Sequence, residues 1–126
     1  MLKSIRSIDY TVLLCDDPAR MKRFYMDTFG FEVARELREQ HWTELRVGAG
    51  ILALRPRWPG EGKREPGAAS VQLAFRVSPS EVQRCHEELK RKDVAITDPP
   101  KDQAWGHRTL FFRDPEDNVL EIYAEL

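Results

Sequence analysis

The sequence predicts an α+β fold in which two β-α-β-β-β modules build one large, strongly curved mixed sheet, with the helices outside and a cleft inside. The same order of strand and helix patterns occurs twice along the 126 residues. A stretch rich in Pro, Gly and charged residues separates the two halves, as is typical of a linker. Four strands and one helix cannot cover both faces of a sheet, so the modules should pair within the chain. We expect a single domain over residues 1–126, with module one at 5–56, the linker at 57–67 and module two at 68–126.

The first module begins with the strand-like residues 8–14. Asp17 and Pro18 follow as an N-cap and a proline at the first helical position. The helix that they start is predicted to bury a face whose residues have the i, i+3, i+4, i+7 spacing: Met21, Phe24, Tyr25 and Thr28. Gly30 is expected to end the helix, because glycine adopts positive φ without steric cost. Three further strands are predicted at 31–38, 41–47 and 50–55.

The second module repeats this plan, starting with a strand at 71–77. Ser78-Pro79-Ser80-Glu81 has the pattern of a capping box with proline at the first helical position. Val82, Cys85 and Leu89 are predicted to form the apolar face of the helix. Three more strands are predicted at 94–97, 108–113 and 119–123. The last two strands flank Asp-Pro-Glu-Asp-Asn at 114–118, which is a dense turn signal, and they therefore form a hairpin.

The composition limits the classes of partner that we expect. The chain is 41% hydrophobic and 33% charged, with a formal net charge of −1. A nucleic-acid or anionic-membrane surface needs a basic excess, so neither partner is predicted. No stretch approaches the roughly 20 apolar residues of a membrane span, and no signal peptide is expected. Cys15 and Cys85 form no disulfide framework or CxxC pair, which favours a cytoplasmic location.

Two motifs, together with the repeated module order, indicate a family. Phe24-Tyr25 is followed by Phe29-Gly30-Phe31, and the chain ends in Asp114-Pro115-x-x-Asn118-x-x-Glu121. At this separation the pair resembles the vicinal oxygen chelate superfamily, which includes glyoxalase I, extradiol dioxygenases, fosfomycin-resistance enzymes and bleomycin-resistance proteins. The resemblance covers essentially the whole chain. It implies a cupped, mostly antiparallel mixed sheet of eight strands, and frequently a homodimer.

The resemblance also implies where a divalent metal would be bound. The family pattern places a His in the first strand of each module, at the positions of Tyr10 and Gln72 here. It places a Glu in the last strand of each module, at the positions of Ala53 and Glu121. The internal repeat supports this register, because Tyr10 precedes Gln72 by 62 residues and Ala53 precedes Glu121 by 68. Of the four positions, only that of Glu121 holds a good metal ligand.

A metal centre of the usual kind is therefore not expected. Catalytic zinc takes three protein ligands, and non-haem iron(II) takes two His and one carboxylate. A Tyr phenol, with a reference pKa of ~10, must ionise to bind well, and a Gln carbonyl is a weak neutral donor. Tyr10, Gln72 and Glu121 would at most hold a hard divalent cation loosely. This departure also argues against glyoxalase I, fosfomycin-resistance and extradiol chemistry.

In place of a metal site we expect a polar floor made by Tyr10, Gln72 and Glu121. An inward carboxylate is costly unless it is paired, hydrogen-bonded or protonated. The three side chains therefore either satisfy one another inside a filled core or orient a small ligand in a cavity. The residues alone leave both alternatives open.

The wall of the cleft is predicted to contain aromatic and basic residues: Trp42, Trp105, His107 and Arg108. Trp42 shares one strand face with Glu44, and His107 lies on the loop that enters the last hairpin, directly before Arg108. Bleomycin-resistance-like relatives bind flat aromatic drugs between aromatic side chains, so the resemblance implies a stacking role for these tryptophans. The alternatives are a turn role for His107 and simple packing for the tryptophans.

Three functions follow from these observations. The first is a protein that binds a small organic molecule without the usual metal. The second is a lyase, isomerase or dioxygenase-like enzyme with a degenerate metal site, in which Glu121 is the general base and Tyr10 the acid. The third is a structural or partner-binding module with a filled cup.

Overall fold

The computed structural model describes residues 1–126 and confirms the α+β class and the two β-α-β-β-β modules. The elements are β1 (Tyr10–Cys15), α1 (Pro18–Phe29), β2 (Glu32–Leu37), β3 (Trp42–Val47), β4 (Gly50–Pro56), β5 (Gln72–Arg76), α2 (Glu81–Arg91), β6 (Ile96–Asp102), β7 (His107–Arg113) and β8 (Val119–Glu125). Short 3-10 turns occupy Leu2–Ser4 and Arg38–Gln40. The eight strands form two hydrogen-bonded sheets of four, rather than one continuous sheet of eight. Neither helix is long and apolar enough to cross a membrane.

The chain divides into two compact units, Met1–Gly62 and Lys63–Leu126. The boundary between them lies inside the segment 57–67, where the composition predicts a linker. Each unit contains one helix and one four-stranded sheet.

In the first unit the strand order is β1-β4-β3-β2, with β1 parallel to β4 and the other neighbours antiparallel. Leu13 on β1 and Leu54 on β4 are buried cross-strand partners on the sheet face that packs with α1. From the helix, Met21 and Tyr25 are fully buried. The opposite face of the same sheet carries Tyr10, because side chains alternate along a strand.

The predicted ends of α1 are confirmed in detail. The Asp17 carboxylate accepts a hydrogen bond from the backbone N–H of Arg20 at 3.0 Å, and Pro18 is the first helical residue. Gly30 adopts φ 74°, and its N–H donates to the carbonyl of Met26 at 2.9 Å. Each end of the helix is set by contacts within a few residues, and such local contacts can be predicted from the sequence.

In the second unit the strand order is β5-β8-β7-β6, with β5 parallel to β8. Helix α2 contacts β6, β7 and β8. The sheet face that packs with the helix is apolar, and Phe112 and Leu120 are a fully buried cross-strand pair on it. Glu121 follows Leu120 and therefore points to the opposite face.

Two expectations in the second module are wrong. The capping box at 78–81 places the N-cap at Ser78 and the first helical residue at Pro79, whereas the observed N-cap is Ser80, which makes no side-chain capping hydrogen bond. The helix begins at Glu81, after a turn in which the Glu81 N–H donates to the carbonyl of Ser78. Strand β6 is also longer than predicted, since it continues through Pro99 and Pro100. It tolerates these prolines because it is an edge strand whose register with β7 shifts twice.

Candidate functional site

Glu121 lies near the middle of β8 between two buried apolar residues, and only 9% of it is exposed. Its neighbours across the sheet are Ala74 on β5 and Phe111 on β7. Its Oε1 accepts a hydrogen bond from the Gln72 side-chain amide at 3.1 Å. The structure therefore brings together two of the three residues of the predicted polar floor.

Further polar and aromatic side chains share this surface, which we call the Glu121 face. Cross-strand pairing places Thr109 beside Tyr123, and strand alternation puts both on the same side as Glu121. The buried Thr109 hydroxyl accepts a hydrogen bond from the Gln103 amide at 2.9 Å. The His107 ring lies 4.8 Å from the Tyr123 ring, at an interplanar angle of 31°. The face thus combines a carboxylate, amides, a hydroxyl and ring surfaces.

A pocket of about 420 Å³ adjoins the Glu121 face. It is lined by Asp98, Pro99, Pro100, Lys101, Gln103 and Phe111. Phe111 is the cross-strand partner of Glu121, so one wall of the pocket is the immediate neighbour of the carboxylate. This volume is in the range of small-molecule sites.

In the first unit, Tyr10 and Trp42 lie against each other on the sheet face away from α1. Their rings meet edge to face, with centroids 5.9 Å apart and an interplanar angle of 88°. The Trp42 indole N–H donates to Glu44 Oε2 at 2.7 Å. Tyr10 is 49% exposed. We call Tyr10, Trp42 and Glu44 the Tyr10 cluster.

Glu44 is a candidate that the sequence analysis did not select. It lies on β3 directly opposite Ala53 of β4. The signal was present, because Glu44 alternates with Trp42 on one strand face.

Arg108 lies on the opposite face of β7 from Thr109, because the two are successive strand residues. Its guanidinium makes a two-point ion pair with Asp102, with N–O distances of 2.7 and 3.2 Å, and donates to the carbonyl of Pro79 at 3.3 Å. These hydrogen bonds hold the pKa of Asp102 below its ordinary value and raise the pKa of Arg108. The structure therefore does not bring Arg108 to the Glu121 face.

Trp105 lies in the turn before β7 and is 65% exposed. The following residue, Gly106, has φ 89°, which a side chain rarely permits. The turn is closed by the Gly106 N–H, which donates to the carbonyl of Gln103 at 3.1 Å. Trp105 therefore lies beside the first residue of β7, His107.

The residues at the four family positions do not fit a metal centre. The strand register aligns Val12 with Ala53 and, in the other unit, Ala74 with Glu121, so Ala53 and Glu121 occupy equivalent places. Ala53 offers no donor atom, and Gln72 directs its amide N–H to Glu121. No group of three or more His, Cys, Asp or Glu side chains is placed to hold a metal ion. Zinc and iron centres need such a set.

Comparisons with known proteins support the sequence motifs. The family model of the Glyoxalase/Bleomycin resistance protein/Dioxygenase superfamily matches residues 7–122. Uncharacterized protein YwkD from Bacillus subtilis (strain 168) is 30% identical over 130 residues, covering 96% of this chain and 98% of that protein.

Solved structures share the fold at lower identity. A glyoxalase/bleomycin resistance protein/dioxygenase from Nocardioides has a TM-score of 0.83 at 23% identity, covering 98% of this chain and 85% of that chain. Lactoylglutathione lyase from Agrobacterium tumefaciens has a TM-score of 0.76 at 20% identity, covering 96% of this chain and 95% of that chain.

Proposed function

Because this chain belongs to the Glyoxalase/Bleomycin resistance protein/Dioxygenase superfamily, as its motifs predict, we propose that it binds a small organic molecule on the Glu121 face without the usual metal. One observation carries the proposal. The Glu121 side chain is almost fully buried, yet only its Oε1 accepts a hydrogen bond from the chain. A buried carboxylate is stabilised by each further donor that it gains. A ligand N–H or O–H would supply that donor to Oε2.

The surroundings of Glu121 favour a ligand with a flat body. Phe111 lies beside the carboxylate and lines the adjoining pocket. The rings of His107 and Tyr123, which are tilted against each other by 31°, lie further along the same face. Aromatic walls with a few polar groups are the usual lining of a small-molecule site. Gln72 would fix the carboxylate, and exposed Trp105 would contact the ligand from the turn.

The Tyr10 cluster is proposed as a second ligand-contacting surface, in the first unit. Glu44 holds the Trp42 indole in place, and Tyr10 meets its ring edge to face. Preordered aromatic rings lose little conformational entropy when a flat molecule stacks on them. In this proposal Arg108 holds Asp102 and contributes nothing to ligand binding.

The proposal is tested with small compounds that share a benzene ring and that either can or cannot donate a hydrogen bond. Benzamidine and 4-hydroxybenzamide are donors, and methyl benzoate is the matched non-donor. We expect the donors to shift amide resonances of Gln72, Phe111 and Glu121 saturably in ¹H–¹⁵N spectra. Glu121→Gln should weaken their binding at least tenfold, since a charge-assisted hydrogen bond is lost. Glu87→Gln removes an exposed carboxylate on α2 and serves as the control.

If none of the compounds shifts these resonances, the result would instead favour a structural module with a filled cup. Equal binding of donors and methyl benzoate would refute the role of Glu121 and leave only an apolar site. Equal weakening by Glu121→Gln and Glu87→Gln would have the same meaning.

The free oxygen of Glu121 also favours a second function, which is proton abstraction from a small α-hydroxy carbonyl compound. A general base needs an ionised group with a free lone pair in reach of the substrate. The measurement is exchange of the carbon-bound hydrogens of dihydroxyacetone in D₂O. Exchange that is abolished in Glu121→Gln would support an enzyme, and exchange no faster than in buffer would refute it.

We also propose a homodimer in the cytoplasm. Several large apolar side chains near the N-terminus are exposed, among them Ile5 and Ile8. Exposed apolar surface on this scale is typical of protein contacts. A composition with two cysteines and no disulfide framework favours a reducing compartment. Light scattering on the purified protein tests the dimer, and a mass of one chain at micromolar concentration would refute it.

A further inference from the structure

A second carboxylate lies in line with Glu121 on the same face of the sheet. Asp98 on β6 is paired with Phe111 on β7, and Phe111 is paired with Glu121 on β8. Residues paired across strands point to the same side of a sheet, so the three side chains form one row. Asp98 and Phe111 also line the same pocket of about 420 Å³. Phe111 therefore has a carboxylate on each side.

Neither of these two carboxylates has a cationic partner in the chain. Glu121 accepts a hydrogen bond only from the neutral amide of Gln72, and its Oε2 has no partner although 91% of the residue is buried. Asp98 forms no ion pair and no side-chain hydrogen bond. The row thus carries two negative charges that no group of the chain balances.

The other two acids of this sheet are each neutralised by an arginine. Asp102 pairs with Arg108 at 2.7 Å, and Glu125 pairs with Arg76 at 3.0 Å. The sheet therefore pairs its acids at the ends of the strands and leaves unpaired only the two that flank Phe111.

The spacing of the row fits an organic cation better than a metal ion. Paired residues on neighbouring strands are about 5 Å apart at Cα, so the two acids are about 10 Å apart, with Phe111 between them. A hard metal ion needs its oxygen ligands at about 2.0–2.6 Å and cannot hold both carboxylates across that span. An organic cation that lies over Phe111 is near both, and the face of an aromatic ring attracts a cation.

The Phe111 ring is available for such a contact. It is half-buried and packs against no other aromatic ring. Ala74, the partner of Glu121 on β5, is small and exposed, so no large side chain covers the carboxylate from that strand.

Lys101 is the basic side chain that lines the same pocket. It is paired with Thr109, two residues along β7 from Phe111, which is about 7 Å along the strand. It forms no ion pair with Asp98. Its charge opposes a cation in the pocket, so its removal should have the opposite effect from removal of Asp98.

We propose that the ligand of the Glu121 face is a small organic cation with a planar head, an amidinium or a guanidinium. The head lies over Phe111 between Glu121 and Asp98, and the body extends into the adjoining pocket. Planar cations of this kind present paired N–H donors to a carboxylate, and such charge-assisted bonds are about twice as strong as neutral ones. The inference rests on the proposed function, since it names the charge of the ligand at the same site.

The test compares benzamidine with benzamide. The two compounds have the same ring and nearly the same shape, and both donate hydrogen bonds, but only benzamidine is charged at pH 7. Binding is measured from the amide resonances of Asp98, Phe111 and Glu121 in ¹H–¹⁵N spectra. We expect the Kd of benzamidine to be at least tenfold below that of benzamide. Added KCl should weaken the binding of benzamidine alone.

Substitutions then locate the charge. Asp98→Asn should weaken benzamidine binding about two- to fivefold, the range for an exposed ion pair, and leave benzamide unchanged. Lys101→Gln should strengthen benzamidine binding about twofold. Asp93→Asn is the control, because Asp93 is exposed after α2 and its φ of 58° is one that Asn tolerates.

Three results would overturn the inference. The first is equal binding of benzamidine and benzamide, which would leave the proposed function intact if Glu121→Gln weakens both. The second is equal weakening by Asp98→Asn and Asp93→Asn, and the third is weaker benzamidine binding in Lys101→Gln. Binding of neither compound would refute the proposed function as well. A preference for benzamidine that falls in Asp98→Asn and rises in Lys101→Gln supports the planar cation.

Discussion

Replacement of Asp114 by Ala is expected to destabilise the second unit strongly, because this side chain organises the turn between β7 and β8. The Asp114 carboxylate is 4% exposed and accepts three hydrogen bonds. They come from the backbone N–H of Glu116 at 2.9 Å, the backbone N–H of Asn118 at 3.1 Å and the Asn118 side-chain amide at 2.8 Å. All three donors belong to the turn that leads into the strand of Glu121.

The magnitude follows from those three bonds. A hydrogen bond to a charged group contributes about 1.5–3 kcal/mol, and a buried donor left without a partner costs about 1–3 kcal/mol. Bonds within one network are not additive, so the expected loss is about 4 kcal/mol for Asp114→Ala. Asp114→Asn keeps an oxygen for the two backbone donors and loses mainly the charge, so about 1–2 kcal/mol is expected.

Urea unfolding followed by circular dichroism measures the free energy of unfolding at one fixed protein concentration. Asp9→Ala is the control, because Asp9 is exposed and precedes β1. That change should stay within about 0.5 kcal/mol. A loss below about 1 kcal/mol for Asp114→Ala, or equal losses for the Ala and Asn variants, would refute the reasoning.

Three further predictions concern single groups. Two hydrogen bonds from Arg55 lower the pKa of Glu61 to about 2, so its stabilisation is complete above pH 4.5 and is lost as the pH falls towards 2. NMR titration should show this midpoint, and Arg55→Gln should move it towards 4.5. Gly30→Ala should cost about 1 kcal/mol in urea unfolding, because φ 74° strains any side chain although nothing lies within 4 Å. Burial raises the pKa of the Cys85 thiol, so it should react with a disulfide reagent at pH 7 more slowly in the folded chain than in urea.

The predicted fold is accurate where the signal is local. Asp17 and Gly30 mark the ends of α1 through contacts within four residues, and the structure confirms both. Strand β6 shows the opposite case, because Pro99 and Pro100 are residues that normally indicate the end of a strand. Only the pairing of β6 with β7, which is set by tertiary structure, extends the strand past them.

Whether a predicted site residue reaches the Glu121 face depends on strand register more than on residue type. The sequence predicts a strand that begins at Arg108, with His107 on the loop before it. In the structure β7 begins at His107, so alternation sends the two side chains to opposite faces. A one-residue change in where a strand begins thus decided which of them can reach Glu121.

Each module has one carboxylate in an equivalent cross-strand pair of its sheet. The two carboxylates lie on different strands of that pair. In the second unit the pair is Phe111 with Glu121, and in the first unit it is Glu44 with Ala53. Each carboxylate accepts a side-chain hydrogen bond from a neighbour, Glu121 from an amide and Glu44 from the Trp42 indole. The sequence repeat shows only that Ala53 occupies, in the first module, the position that Glu121 occupies in the second. In the sheet, the residue opposite Ala53 on the neighbouring strand β3 is the acid Glu44. Glu44 is therefore the residue of the first unit to test beside Glu121.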